Sequence, residues 1–294
     1  MISMKEGTGV ALVTPFKSDG SVDYNGLANL VEHCINGGVE YLVVLGTTGE
    51  SATLNKNEKK EVLNKVVAVN NGRLPIVLGI GGNNTMEVVA NIQQADLSKI
   101  YAILSVSPFY NKPTQEGIYQ HYKVVAEASP LPIILYNVPG RTASNIAAST
   151  TLRLAKDFKN IIAIKEASGD MEQIMEIINN KPEGFEVISG DDNLTFPMIA
   201  LGAKGVISVS GQGIPSVFSQ MVRDALANKV EEARMGHYAL FTFTKMLFAE
   251  GNPGGIKAAL KIQGVCEDHL RLPLWKISTD LRMKIEDEIK KILA

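Results

Sequence analysis

Eight short runs rich in valine, isoleucine and leucine, each fenced by glycine, proline or asparagine, recur between residues 9 and 210. They are GVALVTPF (9–16), VEYLVVLG (39–46), LPIVLGI (74–80), IYAILSV (100–106), LPIILYN (131–137), IIAIKE (161–166), FEVISG (185–190) and KGVISVS (204–210). Their near-continuous apolar character suits parallel strands covered on both faces. Segments of helical period lie between them. Asp23 can cap DYNGLANLVEHCING (23–37), where Leu27, Leu30, Val31 and Cys34 share one face. Asn55 or Asn57 can cap NEKKEVLNKVVAVNNG (57–72), which closes on Gly72. EGIYQHYKVVAEAS, STTLRLAKDF, MEQIMEIINN, NLTFPMIALG and PSVFSQMVRDALAN fill later intervals.

Eight strand-then-helix units in about 225 residues suit a (β/α)8 TIM barrel, which typically takes ~250. The alternation alone also permits an open doubly wound sheet, but eight repeats of similar length favour closure. The expected class is therefore α/β. From about Val230 only helices remain, in EEARMGHYALFTFTKMLFAE, PGGIKAALKI and TDLRMKIEDEIKKILA. The expected organisation is a barrel over 1–229 and a small C-terminal helical domain over 230–294, packed together because no low-complexity linker parts them.

Composition removes several other readings. Lys plus Arg is 29 against 31 Asp plus Glu, a net charge of -2, so nothing draws the chain globally to nucleic acid or anionic lipid. Cys34 and Cys266 form no CxxC pair and fit a reduced, cytoplasmic compartment. His33, His121, His237 and His269 are scattered, so no metal set emerges. The opening MISMKEGTGV lacks the apolar run of a signal peptide, and no stretch approaches a membrane span. GxxxxGK[ST], GxGxxG and GxSxG are all absent.

In such a barrel the active site lies at the C-terminal ends of the strands, and polar groups gather there. The second strand ends in GTTGES with Thr47 and Thr48, the fourth runs into SPFYNKPTQEG with Tyr110, and the fifth ends in YNVPGRT with Tyr136 and Arg141. The sixth ends at Lys165, the seventh in SGDD and the eighth in ISVSGQG. Burial disfavours an ammonium ion, so a lysine in a desolvated mouth can offer a free amine that attacks a carbonyl to form a Schiff base. A strand-end lysine can equally snorkel to solvent or pair with a neighbour, here Glu166. Tyr136 closes the preceding strand, which places it beside Lys165 as a proton carrier; alone, it would more commonly be a packing residue. GTTGES can be a plain capped turn or a carboxylate site, with Gly46 and Gly49 admitting close backbone approach and Thr47 and Thr48 donating. Arg141 can be a surface residue or the bidentate partner of a second carboxylate. The pattern suggests a small anionic keto acid as substrate and leaves the acceptor open.

GTTGES, SPFYNKPTQEG, YNVPGRT, IIAIKEASGD and SGDD, in this order, resemble the dihydrodipicolinate synthase (4-hydroxy-tetrahydrodipicolinate synthase) family of pyruvate-dependent class I aldolases. The resemblance runs from GTGVALVTPF to LRLPL, essentially the whole chain. It implies condensation of pyruvate with L-aspartate 4-semialdehyde through an imine on Lys165, in diaminopimelate and lysine biosynthesis, with neither metal nor organic cofactor. It further implies Tyr136, Thr47 and Tyr110 as a hydroxyl relay, Thr48, Gly190 and Ile207 around pyruvate, and Arg141 on the semialdehyde carboxylate. Because Tyr110 in this family reaches a neighbouring subunit, a homo-oligomer is implied, at least a dimer and often a dimer of dimers. Relatives such as N-acetylneuraminate lyase and keto-sugar-acid aldolases share the lysine, the tyrosine and the turn; Arg141 and the tyrosine of FYNKP separate this chain from them. A keto-acid-binding barrel without catalysis is the non-enzymatic alternative. Ser51, Asn83 and Glu87 match the family's lysine-regulatory pattern, whereas Lys56, Lys59 and Phe109 depart from it. Two ammonium groups repel a lysine ligand, so weak or absent feedback inhibition is expected.

Overall fold

The computed structural model describes residues 4–294; residues 1–3, which begin both the expected barrel segment and MISMKEGTGV, lie outside them. The strands are β1 (Gly7–Ala11), β2 (Tyr41–Val44), β3 (Ile76–Gly79), β4 (Ala102–Val106), β5 (Ile133–Asn137), β6 (Ile161–Glu166), β7 (Glu186–Ser189) and β8 (Gly205–Ser208). They hydrogen-bond in chain order as a closed barrel, parallel from β3 through β8 and between β1 and β2. The expected (β/α)8 TIM architecture is the one found.

The helices are α1 (Tyr24–Asn36), α2 (Lys56–Asn70), α3 (Thr85–Gln94), α4 (Gln115–Ala128), α5 (Pro139–Thr142) and α6 (Ala148–Asp157). They continue with α7 (Met171–Asn180), α8 (Thr195–Ala200), α9 (Pro215–Leu226), α10 (Val230–Ala249), α11 (Gly254–Ile262) and α12 (Thr279–Leu293). Asp23 caps α1, accepting from the Asn25 and Gly26 amides. Asn55 caps α2 in a reciprocal box with Glu58.

Three departures from the sequence reading have local causes. β1 begins at Gly7 and stops at Ala11. Beyond it the Gln212 side chain takes over from the ladder, accepting from the Val13 amide at 2.9 Å and donating to the Ala11 carbonyl at 2.8 Å. α3 fills the interval between β3 and β4, where the sequence analysis expects no helix; Asn84 caps it, and Val88, Val89 and Ile92 bury one face. α5 is a single turn within VPGRT, opened by Pro139 at a position where the ring's fixed φ suits a helix start.

The chain divides into two compact units, one built on Ile76–Ile207 and the other on Gly7–Pro75 with Ser208–Ala294. In the first, the outward residues Ile133, Leu135 and Ile164 pack with Ile118, Tyr122, Leu154 and Ile174 from the covering helices. In the second, α10 lies against α9, α11 and α12, and buries Leu240, Phe243 and Leu247. No helix among the described residues is long and apolar enough to cross a membrane.

Candidate active site

β5 and β6 pair in register, Tyr136 opposite Lys165 and Asn137 opposite Glu166. Successive strand side chains point to opposite faces. Leu135 and Ile164 belong to the helix-facing core, as do Asn137 and Glu166 by the same alternation, so Tyr136 and Lys165 face the barrel interior. Lys165 is 5% exposed and Tyr136 7%. The Lys165 Nζ sits 4.3 Å from the Tyr136 ring centroid. Among the described residues, neither that amine nor the Tyr136 hydroxyl has a hydrogen-bond or ion-pair partner.

Both ordinary explanations for a strand-end lysine therefore fail. Lys165 does not snorkel, because it is buried. Nor does it pair with Glu166, whose carboxylate is held on the other face by the Asn137 Nδ2 at 2.9 Å, the Ser168 amide at 3.0 Å and the Gln173 Nε2 at 3.1 Å. Burial raises the Glu166 pKa, and these donors oppose the rise. The clamp between Asn137 and Glu166 fixes the outer faces of the two strands whose inner faces carry Tyr136 and Lys165. Gly190 completes this part of the site. A Cβ there would lie 3.0 Å from the Lys165 Cε and 2.7 Å from the Ala167 Cβ, so glycine leaves the lysine its room. The Gly190 amide is committed to the Glu166 carbonyl at 2.7 Å.

In the other unit the GTTGE turn follows β2. Leu45 at φ 61° and Glu50 at φ 51° bracket it with left-handed backbone that costs side-chain-bearing residues on the order of 1–3 kcal/mol each. Side chains distant in sequence hold it there. Thr14 Oγ1 donates to the Gly49 carbonyl at 2.7 Å, and Asn252 Nδ2 donates to Thr48 Oγ1 at 2.9 Å. The side chains of Lys257 and Glu50 are both fully buried, with Nζ to Oε1 at 2.5 Å. Lys257 also donates to the His269 carbonyl at 2.8 Å and lies 4.3 Å over the Phe16 ring. Burial lowers its pKa, and Glu50 works against that. Arg271 donates its amide to Glu50 and grips Glu58 with two guanidinium nitrogens, holding the Glu58 pKa down to about 2.

Among the described residues, two lysines are buried in opposite settings, Lys257 locked in an ion pair and Lys165 without one. Lys257→Met is expected to destabilise the fold by about 3–5 kcal/mol, because it strands a buried carboxylate. Denaturant unfolding measures this, and a loss below about 1 kcal/mol would mean that the pair does not hold the turn.

The remaining expected site residues lie as follows. Thr48 is buried at 3% exposure, whereas Thr47, beside it, is exposed. Tyr110 is 88% exposed on left-handed backbone at φ 73°, with its amide bonded to the Thr142 carbonyl. Arg141 is exposed on α5 and, among the described residues, makes no ion pair. Ile207 is buried on β8. Ser51 is half-buried, while Lys56, Asn83 and Glu87 are exposed. The structure brings Lys165, Tyr136 and Gly190 together directly. Sequence reasoning gave no role to Asn252, Lys257 or Arg271, and took Glu50 only as part of a motif.

Comparison with known proteins matches residues 4–292 to the model of the dihydrodipicolinate synthetase family. A 4-hydroxy-tetrahydrodipicolinate synthase from Flavobacterium psychrophilum is 61% identical, covering 95% of this chain and 96% of its own. The crystal structure of dihydrodipicolinate synthase from Aquifex aeolicus superposes with a TM-score of 0.94 at 43% identity, covering 98% of each chain. That of the Acinetobacter baumannii enzyme, complexed with pyruvate, gives 0.94 at 39% identity, again over 98% of each. A match of this extent, on a barrel whose sixth strand carries a buried lysine next to its last residue, places the chain by descent as well as by shape: it belongs to the dihydrodipicolinate synthetase family.

Proposed function

We propose that this chain is a 4-hydroxy-tetrahydrodipicolinate synthase that condenses pyruvate with L-aspartate 4-semialdehyde through a Schiff base on Lys165, in diaminopimelate and lysine biosynthesis. The observation that carries the reading is a buried lysine amine 4.3 Å from a tyrosine ring with no hydrogen-bond or ion-pair partner among the described residues. The family membership supports it, and so does the pyruvate complex of the Acinetobacter baumannii relative.

The Lys165 amine adds to the keto carbon of pyruvate, and water leaves as the imine forms. Loss of a methyl proton gives an enamine, whose carbon attacks the aldehyde of the semialdehyde. The acceptor's amino group then attacks the imine carbon and displaces Lys165, closing the ring. The imine nitrogen is the electron sink, so the enzyme's other groups need only move protons and hold carboxylates.

In this reading Tyr136 carries protons, relayed through Thr47 to Tyr110. Thr48 and the backbone near Gly190 and Ile207 hold pyruvate, and Arg141 clamps the semialdehyde carboxylate. The exposed Tyr110 hydroxyl serves the site of a second copy, so the active form is at least a dimer, with a dimer of dimers consistent with the family. A cytoplasmic location accompanies the role.

Turnover measured with pyruvate plus aspartate semialdehyde, against pyruvate plus an aldehyde sugar acceptor, tests the assignment. Faster turnover of the sugar pair would overturn it in favour of a sugar-acid aldolase. The regulatory positions carry a further prediction. Lys56 and Lys59 disfavour a cationic ligand, so titration of activity with L-lysine is expected to give little inhibition, and half-inhibition well below millimolar would contradict this.

A further inference from the structure

Asn252 is a buried polar residue that the reaction sequence leaves unexplained. It lies immediately before Pro253, the N-cap of α11, and is 8% exposed. Its Nδ2 donates to Thr48 Oγ1 at 2.9 Å, while its Oδ1 is buried without a hydrogen-bond partner among the described residues. A stranded buried acceptor is costly, and native structures keep few of them without a reason. Asn252 and Lys257 fasten the same stretch of chain to the GTTGE turn at two points, Thr48 and Glu50.

The consequence lies in hydroxyl geometry. A threonine hydroxyl has one proton and two lone pairs. Where the oxygen already accepts from an amide N–H, the proton is directed away from that donor and toward another acceptor. Among the described residues, the Thr48 hydroxyl donates to nothing. We propose that Asn252 is a positioning residue, whose amide donates to Thr48 and thereby aims the Thr48 hydroxyl proton at the carboxylate of the bound keto acid. The proposal rests on the reading of Thr48 as a donor to pyruvate.

The isosteric change Asn252→Asp tests it, because a carboxylate only accepts. The Thr48 hydroxyl then turns to Asp and is withdrawn from the substrate, and a negative charge is added nearby. The expected result is a pyruvate KM raised about tenfold or more, as for a lost hydrogen bond to a charged group, with kcat at saturating pyruvate within a few-fold of wild type. Asn252→Ala, which frees the hydroxyl without capturing it, raises KM less. In a Thr48→Val background, Asn252→Ala raises KM no further, and Asn252→Asp raises it less than it does alone, by the charge repulsion that remains. Thermal unfolding is followed in parallel, and a structural role alone would lower stability and kcat together without this ordering in KM. An unchanged KM in Asn252→Asp would overturn the proposal, as would full additivity with Thr48→Val. Borohydride trapping of pyruvate on the unaltered chain separates the two levels. If Lys165 is trapped while Asn252→Asp keeps its KM, the positioning role falls alone. If Lys165 is never trapped, the Schiff-base reading falls and the positioning role falls with it.

Discussion

Lys165→Arg is expected to abolish both turnover and the borohydride-stable pyruvate adduct. A guanidinium stays protonated at any working pH and has no free lone pair with which to attack a carbonyl. The site offers it no carboxylate either, since Glu166 faces the helices and is held by Asn137, Ser168 and Gln173. Lys165→Ala should lose the adduct equally, which separates the missing nucleophile from any local strain caused by the larger arginine. Circular dichroism and the oligomeric state would be checked alongside. Substantial turnover in both variants would move the chemistry away from this residue.

Tyr136→Phe is expected to keep the fold and lose turnover by about 10²–10⁴-fold, the usual contribution of a positioned general acid/base. The change is unusually clean here. The ring that lies 4.3 Å from the Lys165 Nζ is retained, and the hydroxyl removed has no hydrogen-bond partner among the described residues. Its loss should therefore cost folding stability less than about 1 kcal/mol. The two variants differ in what they stop. Without Lys165 no imine can form, whereas without the Tyr136 hydroxyl the imine still forms, only slowly. Stopped-flow adduct formation followed by quenching distinguishes them, and a Tyr136→Phe enzyme of nearly full activity would remove tyrosine from the proton path.

The parts of this molecule that could be read from sequence are those written in local pattern. IIAIKE is a strand by its period, and the structure returns the same bounds for β6. YN at the end of LPIILYN lies across from KE at the end of IIAIKE because consecutive strands of such a barrel are neighbours, so the pairing of Tyr136 with Lys165 followed from strand order. α3 is written in local pattern as well: Asn84 supplies a capping side chain, and Val88, Val89 and Ile92 recur at helical spacing. The supports of the GTTGE turn belong to another category. Glu50 and Lys257 are 207 residues apart, and Thr48 and Asn252 are 204 apart. Within PGGIKAALKI, Lys257 resembles any surface lysine of an amphipathic helix until its partner is placed beside it. No local period records a contact of that span.

That second buried lysine also supplies an internal control for the central claim. Lys257 is more deeply buried than Lys165, but its Nζ is engaged by the Glu50 carboxylate and the His269 carbonyl and has no open approach for a carbonyl substrate. The decisive measurement is incubation of the intact chain with pyruvate and borohydride, followed by peptide mass mapping. One reduced pyruvyl adduct is expected, on Lys165, with Lys257 unmodified. A chain that turns over substrate yet carries no adduct, or carries it on another lysine, would contradict it.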